Sequence, residues 1–155
     1  MVRLLLRMLL ACAAAALPGS ASALEAKKPS QLVTLKASDQ CDLNRGQIYN
    51  LRILSDGSTA PFAIPQGQVL VVTRWMFRFG GGTPGNAAYA YLRIEGNLEG
   101  IGQGPFVYDA EGRGVGSFEL SAVVGAGTQL CGTNSDDAGV VSLGGFLEGY
   151  LTKAR

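Results

Sequence analysis

The stretch Ile64–Gly82, IPQGQVLVVTRWMFRFGGG, starts at a Pro/Gly turn, alternates apolar and polar residues, and runs out into three glycines. Alternation with a period of two is the signature of a half-buried strand. Ile64-Pro65-Gln66-Gly67 suits a type I turn, with proline at its second position and glycine at its fourth. Strict alternation then divides the strand into two faces. Val69, Val71, Thr73, Trp75, Phe77 and Phe79 form one, read as the core face with Trp75 its largest member. Leu70, Val72, Arg74, Met76 and Arg78 form the other, which starts apolar and emerges into solvent toward Arg78.

Outward from this strand the same grammar recurs. Short runs rich in Val, Ile, Leu, Phe and Tyr are expected as strands at 31–37, 47–54, 88–95, 105–109, 114–124, 128–133 and 140–152. Asp56-Gly57, Gly96-Asn97, Glu111-Gly112 and the NSDDAG stretch at 134–139 punctuate them as turns. No long 3.6-residue periodicity intervenes, so a parallel sheet built on crossover helices is disfavoured. The expectation is an all-β, antiparallel β-sandwich of about eight strands, jelly-roll-like, with an immunoglobulin-like sandwich as the second choice. The segment VVGAGTQLCG (123–132) echoes AIPQGQVLVV (63–72), each passing from an apolar pair through a Gly-containing turn into a strand.

The N-terminus has a different grammar. Arg3 and Arg7 precede the apolar run MLLACAAAAL (8–17), then Pro18-Gly19 and the small residues Ala21–Ala23. Basic start, apolar centre and small-residue exit make an export signal over 1–23, and 24–30 reads as a flexible lead-in to a single domain at 31–155. The apolar run is about half the length that spans a bilayer, so no membrane span is expected. Lipid attachment at Cys12 would leave only Met8–Ala11 as the signal core, too short for the purpose. The protein is therefore expected to be secreted or periplasmic.

Cleavage leaves 155 less 23, or 132 residues, enough for one domain with its own core. Thirteen basic residues less Arg3 and Arg7, against twelve acids, give a mature charge of −1. A nearly neutral chain with scattered basic residues has no electrostatic footprint for nucleic acid. Cys41 and Cys131 remain as an even pair in an exported chain, which reads as one disulfide.

The chain contains no histidine, which excludes Ser-His-Asp and Cys-His nucleophilic sites and imidazole metal centres. It resembles cupins only in its turn–strand rhythm, and with apolar residues such as Leu130 at the positions in question it lacks their histidine metal ligands; no cofactor is expected. Gly80, Gly82 and Gly85 match G-x-G-x-x-G literally, but a strand rather than a helix follows, so they read as a loop. Acids occur as Asp109 with Glu111 and at Glu95, Glu99, Glu119 and Glu148, and turns or solvated strand faces account for them. Asn134, Asp136 and Asp137 form a candidate calcium loop of oxygen ligands, although no acid occupies the closing position of an EF-hand.

The strongest binding signal is AYAYLRIE (88–95). Tyr89, Tyr91, Arg93 and Glu95 share one strand face opposite Ala88, Ala90, Leu92 and Ile94. Two phenol rings with a guanidinium and a carboxylate suit a glycan or protein ligand, or a contact between copies in a homo-oligomer. The sequence thus points to a non-catalytic exported binding or assembly module, with a carboxylate-dependent enzyme acting on polysaccharide as the alternative.

Overall fold

Among the described residues nine strands succeed one another: β1 (Leu32–Gln40), β2 (Gln47–Ile53), β3 (Thr59–Pro61), β4 (Gln68–Gly80), β5 (Ala87–Ile94), β6 (Gly100–Val107), β7 (Gly114–Gly125), β8 (Leu130–Asn134) and β9 (Val141–Lys153). The computed structural model describes residues 28, 31–41, 46–96, 100–135 and 141–155. The export signal at 1–23 and nearly all of the lead-in at 24–30 lie outside them. Every pairing is antiparallel, as expected.

The layering differs from the expected jelly-roll sandwich. The strands form one continuous sheet in the order β6-β5-β8-β2-β1-β9-β4-β7, with β3 beside β8 along the same edge of β2. This sheet curls until its ends, β6 and β7, approach each other as a nearly closed barrel. The seam is packed by side chains: Phe106 of β6 lies over Gly114 of β7, and Phe118 of β7 lies over Gly104 of β6. Any Cβ at either glycine would strike the opposing ring. Curling in this way leaves little exposed edge, the feature through which open sheets aggregate.

The core face of β4 also differs from strict alternation. Leu70 and Val72 point inward, and so do Trp75, Phe77 and Phe79. The phase changes at Thr73, where β4 bulges: Val72 faces Gly149 but Arg74 faces Glu148, one residue more on β4 than on β9. The physical reason is in the residues themselves. One strict phase would bury Arg74 and Arg78, and the other would leave Leu70 and Val72 in water. A bulge buries both aliphatics and all three aromatics with no arginine among them. The hydroxyl of Thr73 donates to the Glu148 carbonyl at 3.2 Å, joining the irregular step to β9.

The turn before β4 sits one residue later than expected. The Gln68 N–H donates to the Pro65 carbonyl, and Gly67 takes φ +74°, the conformation of a type II turn's third position. The echo segment does the same: Thr128 N–H reaches the Gly125 carbonyl and Gly127 has φ +80°. Both turns lie at one end of the barrel. The GGGTPG segment is a loop between β4 and β5, as expected, and Gly82 lets its backbone lie against the ring of Tyr108 at the other end.

Aromatic rings fill the interior. Phe77 contacts Trp75, Phe79, Phe106 and Phe118 at centroid separations of 5.0–5.4 Å. The buried Trp75 indole N–H donates to the Tyr49 hydroxyl at 2.7 Å. Burial pushes the Tyr49 hydroxyl pKa well above the ordinary phenol value, so it stays neutral. Tyr49→Phe strands that indole donor and is expected to lower unfolding free energy by about 1–3 kcal/mol in urea titrations. A loss near zero would mean that the donor has another partner.

Candidate functional site

β5 displays the expected face. Ala88, Ala90 and Leu92 are buried in the barrel, while Tyr89, Tyr91 and Arg93 project from its outer side. The Tyr89 and Tyr91 rings stack at 6.4 Å between centroids with planes 28° apart. The Arg93 guanidinium carbon lies 4.6 Å from the Tyr91 centroid, within cation–π range. Tyr89 is 49% exposed, so the end of this ladder is open to solvent.

Neighbouring strands frame the ladder. Pro105 and Gln103 of β6 stand opposite Tyr89 and Tyr91, and Thr133 and Cys131 of β8 stand opposite Tyr91 and Arg93. Beyond β8, Ser135 grips Tyr89 from both sides: its hydroxyl accepts the Tyr89 N–H at 2.9 Å and its own N–H donates to the Tyr89 carbonyl at 2.8 Å. Glu95 lies just past the strand end, where its N–H donates to the Gln129 carbonyl, and it forms no ion pair with Arg93. The structure thus brings together three of the four residues as one stacked unit and leaves Glu95 beside it. Two polar atoms next to Tyr91, Arg93 Nε and Thr133 Oγ1, are buried without a hydrogen-bond partner among the described residues. Such atoms are costly to leave unmatched and are rare in folded proteins.

Of the candidate calcium ligands only Asn134 is among the described residues. Asn134 ends β8 as a buried side chain opposite Ala90, whereas Asp136 and Asp137 lie outside the described residues. Among the described residues no cluster of three metal-ligating side chains occurs.

The described carboxylates are largely engaged in local structure. Asp56 accepts from the Ser58 hydroxyl and N–H, bonds that hold its pKa below the ordinary value. Asp109 Oδ1 accepts the N–H groups of Glu111 and Arg113 and so shapes the β6–β7 turn. Glu119 and Glu148 flank Arg74 on the outer face, at 2.6 and 3.8 Å. The bond to Glu119, with the charges of Glu119 and Glu148, raises the arginine's pKa further.

Sequence reasoning did not find the cavity at the end of the barrel. It measures about 110 Å³ and is lined by Asn50, Thr128 and Gln129 together with Leu35, Tyr49 and Leu130. Ala63 and Ile64, which open the first echoed segment, and Gly127 and Thr128 of the second turn line it, and that echo is its trace in the sequence. Cys41 and Cys131 form the expected disulfide, with 6.1 Å between Cα atoms, and pack with Ile48 as a small apolar cluster outside the main core. No protein-family model matches the chain, and no curated protein matches its sequence.

Proposed function

We propose that the protein is an exported, non-catalytic binding module that holds a carbohydrate against the outer face of β5. The observation that carries this reading is the Tyr89–Tyr91–Arg93 ladder, a stacked aromatic surface left open on a rigid sheet. Flat sugar faces stack on such rings, while hydroxyls need directed polar partners. Gln103, opposite Tyr91 on β6, and the Arg93 guanidinium on the Tyr91 ring stand beside the ladder as such partners. Export is supported by the charged–apolar–small pattern over 1–23 and by the Cys41–Cys131 disulfide, a bond that persists in oxidising compartments. Among the described residues no helix is long and apolar enough to cross a membrane.

The test is a thermal-shift screen of the mature protein against a glycan panel, followed by calorimetry on each hit. The Tyr89→Ala/Tyr91→Ala double variant is expected to keep the fold and to bind at least about tenfold more weakly, each ring contributing on the order of 1 kcal/mol. If the double variant unfolds, the rings are structural and the site is lost. Undiminished glycan binding by a folded double variant places the ligand elsewhere.

A further inference from the structure

The outer side of β7, β4, β9 and β1 carries a second feature, remote in sequence from β5. Ser117, Met76, Phe146 and Lys36 stand in one cross-strand row, and Val115, Arg78 and Gly144 in the next. The second row is incomplete, because Gly144 has no side chain and β9 bulges at Leu143. The surface therefore sinks to the backbone beside Arg78, opening a groove of about 580 Å³. That volume lies within the range of clefts that take small ligands.

The walls are apolar and left uncovered. Val115, Leu143 and Phe146 are 67, 46 and 40% exposed, and Met76 completes the set. Contiguous apolar surface of this kind marks a binding site more often than scattered exposed residues do. Charge narrows the occupant. Lys36 and Arg78 line the groove, and among the described residues neither has an ion-pair partner and no carboxylate lines it. On the same outer face Arg74 is matched by Glu119 and Glu148, whereas Lys36 and Arg78 face the groove without such a match.

We propose that this groove is a second binding site, for a single amphiphilic anion. The hydrocarbon part of a fatty-acid-like ligand packs on Met76, Phe146, Leu143 and Val115, and Lys36 and Arg78 neutralise its carboxylate. Lysine and arginine are suited to such a groove, because their aliphatic stems can lie along apolar surface with the charge kept in water. The depression is concave, which suits one enclosed chain better than a flat bilayer.

Calorimetric titration of the chain with decanoate and with decyltrimethylammonium, at equal submicellar concentrations, tests this directly. Decanoate is expected to bind and the cation is not. Lys36→Gln/Arg78→Gln should weaken decanoate binding by about five- to tenfold. Ser117→Trp, an exposed position within the groove, should abolish binding while the unfolding midpoint stays unchanged. Equal binding of both amphiphiles, or normal decanoate binding by either variant, overturns the proposal. Two further results also overturn it when decanoate gives no heat: binding to phosphatidylglycerol vesicles, which assigns the face to a membrane surface, and a dimer dispersed by Arg78→Gln in sedimentation, which assigns it to a second copy.

Discussion

Replacing Trp75 by alanine is expected to remove about 3–5 kcal/mol of unfolding free energy, the cost of emptying a large buried aromatic site. Trp75 is fully buried, stacks obliquely on Phe77 and Phe118, and donates its indole N–H to Tyr49. The site cannot easily collapse, because its floor is backbone: a Cβ on Gly132 would already lie 3.1 Å from the indole. The truncation therefore leaves a cavity and also strands the Tyr49 hydroxyl. Against a typical domain stability of 5–15 kcal/mol this is a large fraction. Urea unfolding followed by circular dichroism reads it without relying on the lost fluorophore. A loss below about 1 kcal/mol would show that the β4 bulge does not turn Trp75 inward, since exposed substitutions cost about that or less.

The Cys41→Ala/Cys131→Ala variant is expected to lose a comparable amount. The bond joins residues 90 apart in sequence, and the chain-entropy model assigns closure of such a loop roughly 4–5 kcal/mol. The link also has a local consequence. Cys41 follows β1, and its N–H donates to the Gly46 carbonyl, so the bridge holds Cys41 and Gly46 beside β8. Gly46 fits there because a Cβ would meet Cys41 Sγ, the Gly132 carbonyl and Thr133. Reductant should lower the wild-type unfolding midpoint to that of the variant and leave the variant unmoved. A wild-type protein indifferent to reductant would show that the bond carries no stability.

Much of this architecture is legible in the residues, and the exceptions have physical causes. Strict alternation in AYAYLRIE suffices to place Tyr89, Tyr91 and Arg93 outward, because β5 is regular through Leu92. β4 defeats the same rule, because a bulge leaves no mark in a period-two pattern except the arginines it keeps out of the core. The first half of β6, GIGQG, does not read as a strand since glycine is a poor strand former, yet Gly104 is what admits Phe118 at the seam. β3 is three residues long, below any periodicity. Closure into a barrel depends on which strand follows which across the sheet, and that order is a property of pairing between distant segments. The outer groove escapes for the same reason: its walls come from four strands, and register alone aligns them.

The interior of this barrel is filled with its own side chains, and the proposed glycan site therefore lies on its outside. The most direct test is an amide NMR titration of the isotope-labelled protein with a glycan taken from the thermal-shift screen. The expected perturbations cluster at residues 89–93, 103 and 133, around the tyrosine ladder. Perturbations gathered instead at 62–64 and 127–130, around the end cavity, would contradict the account and place the ligand in the mouth of the barrel.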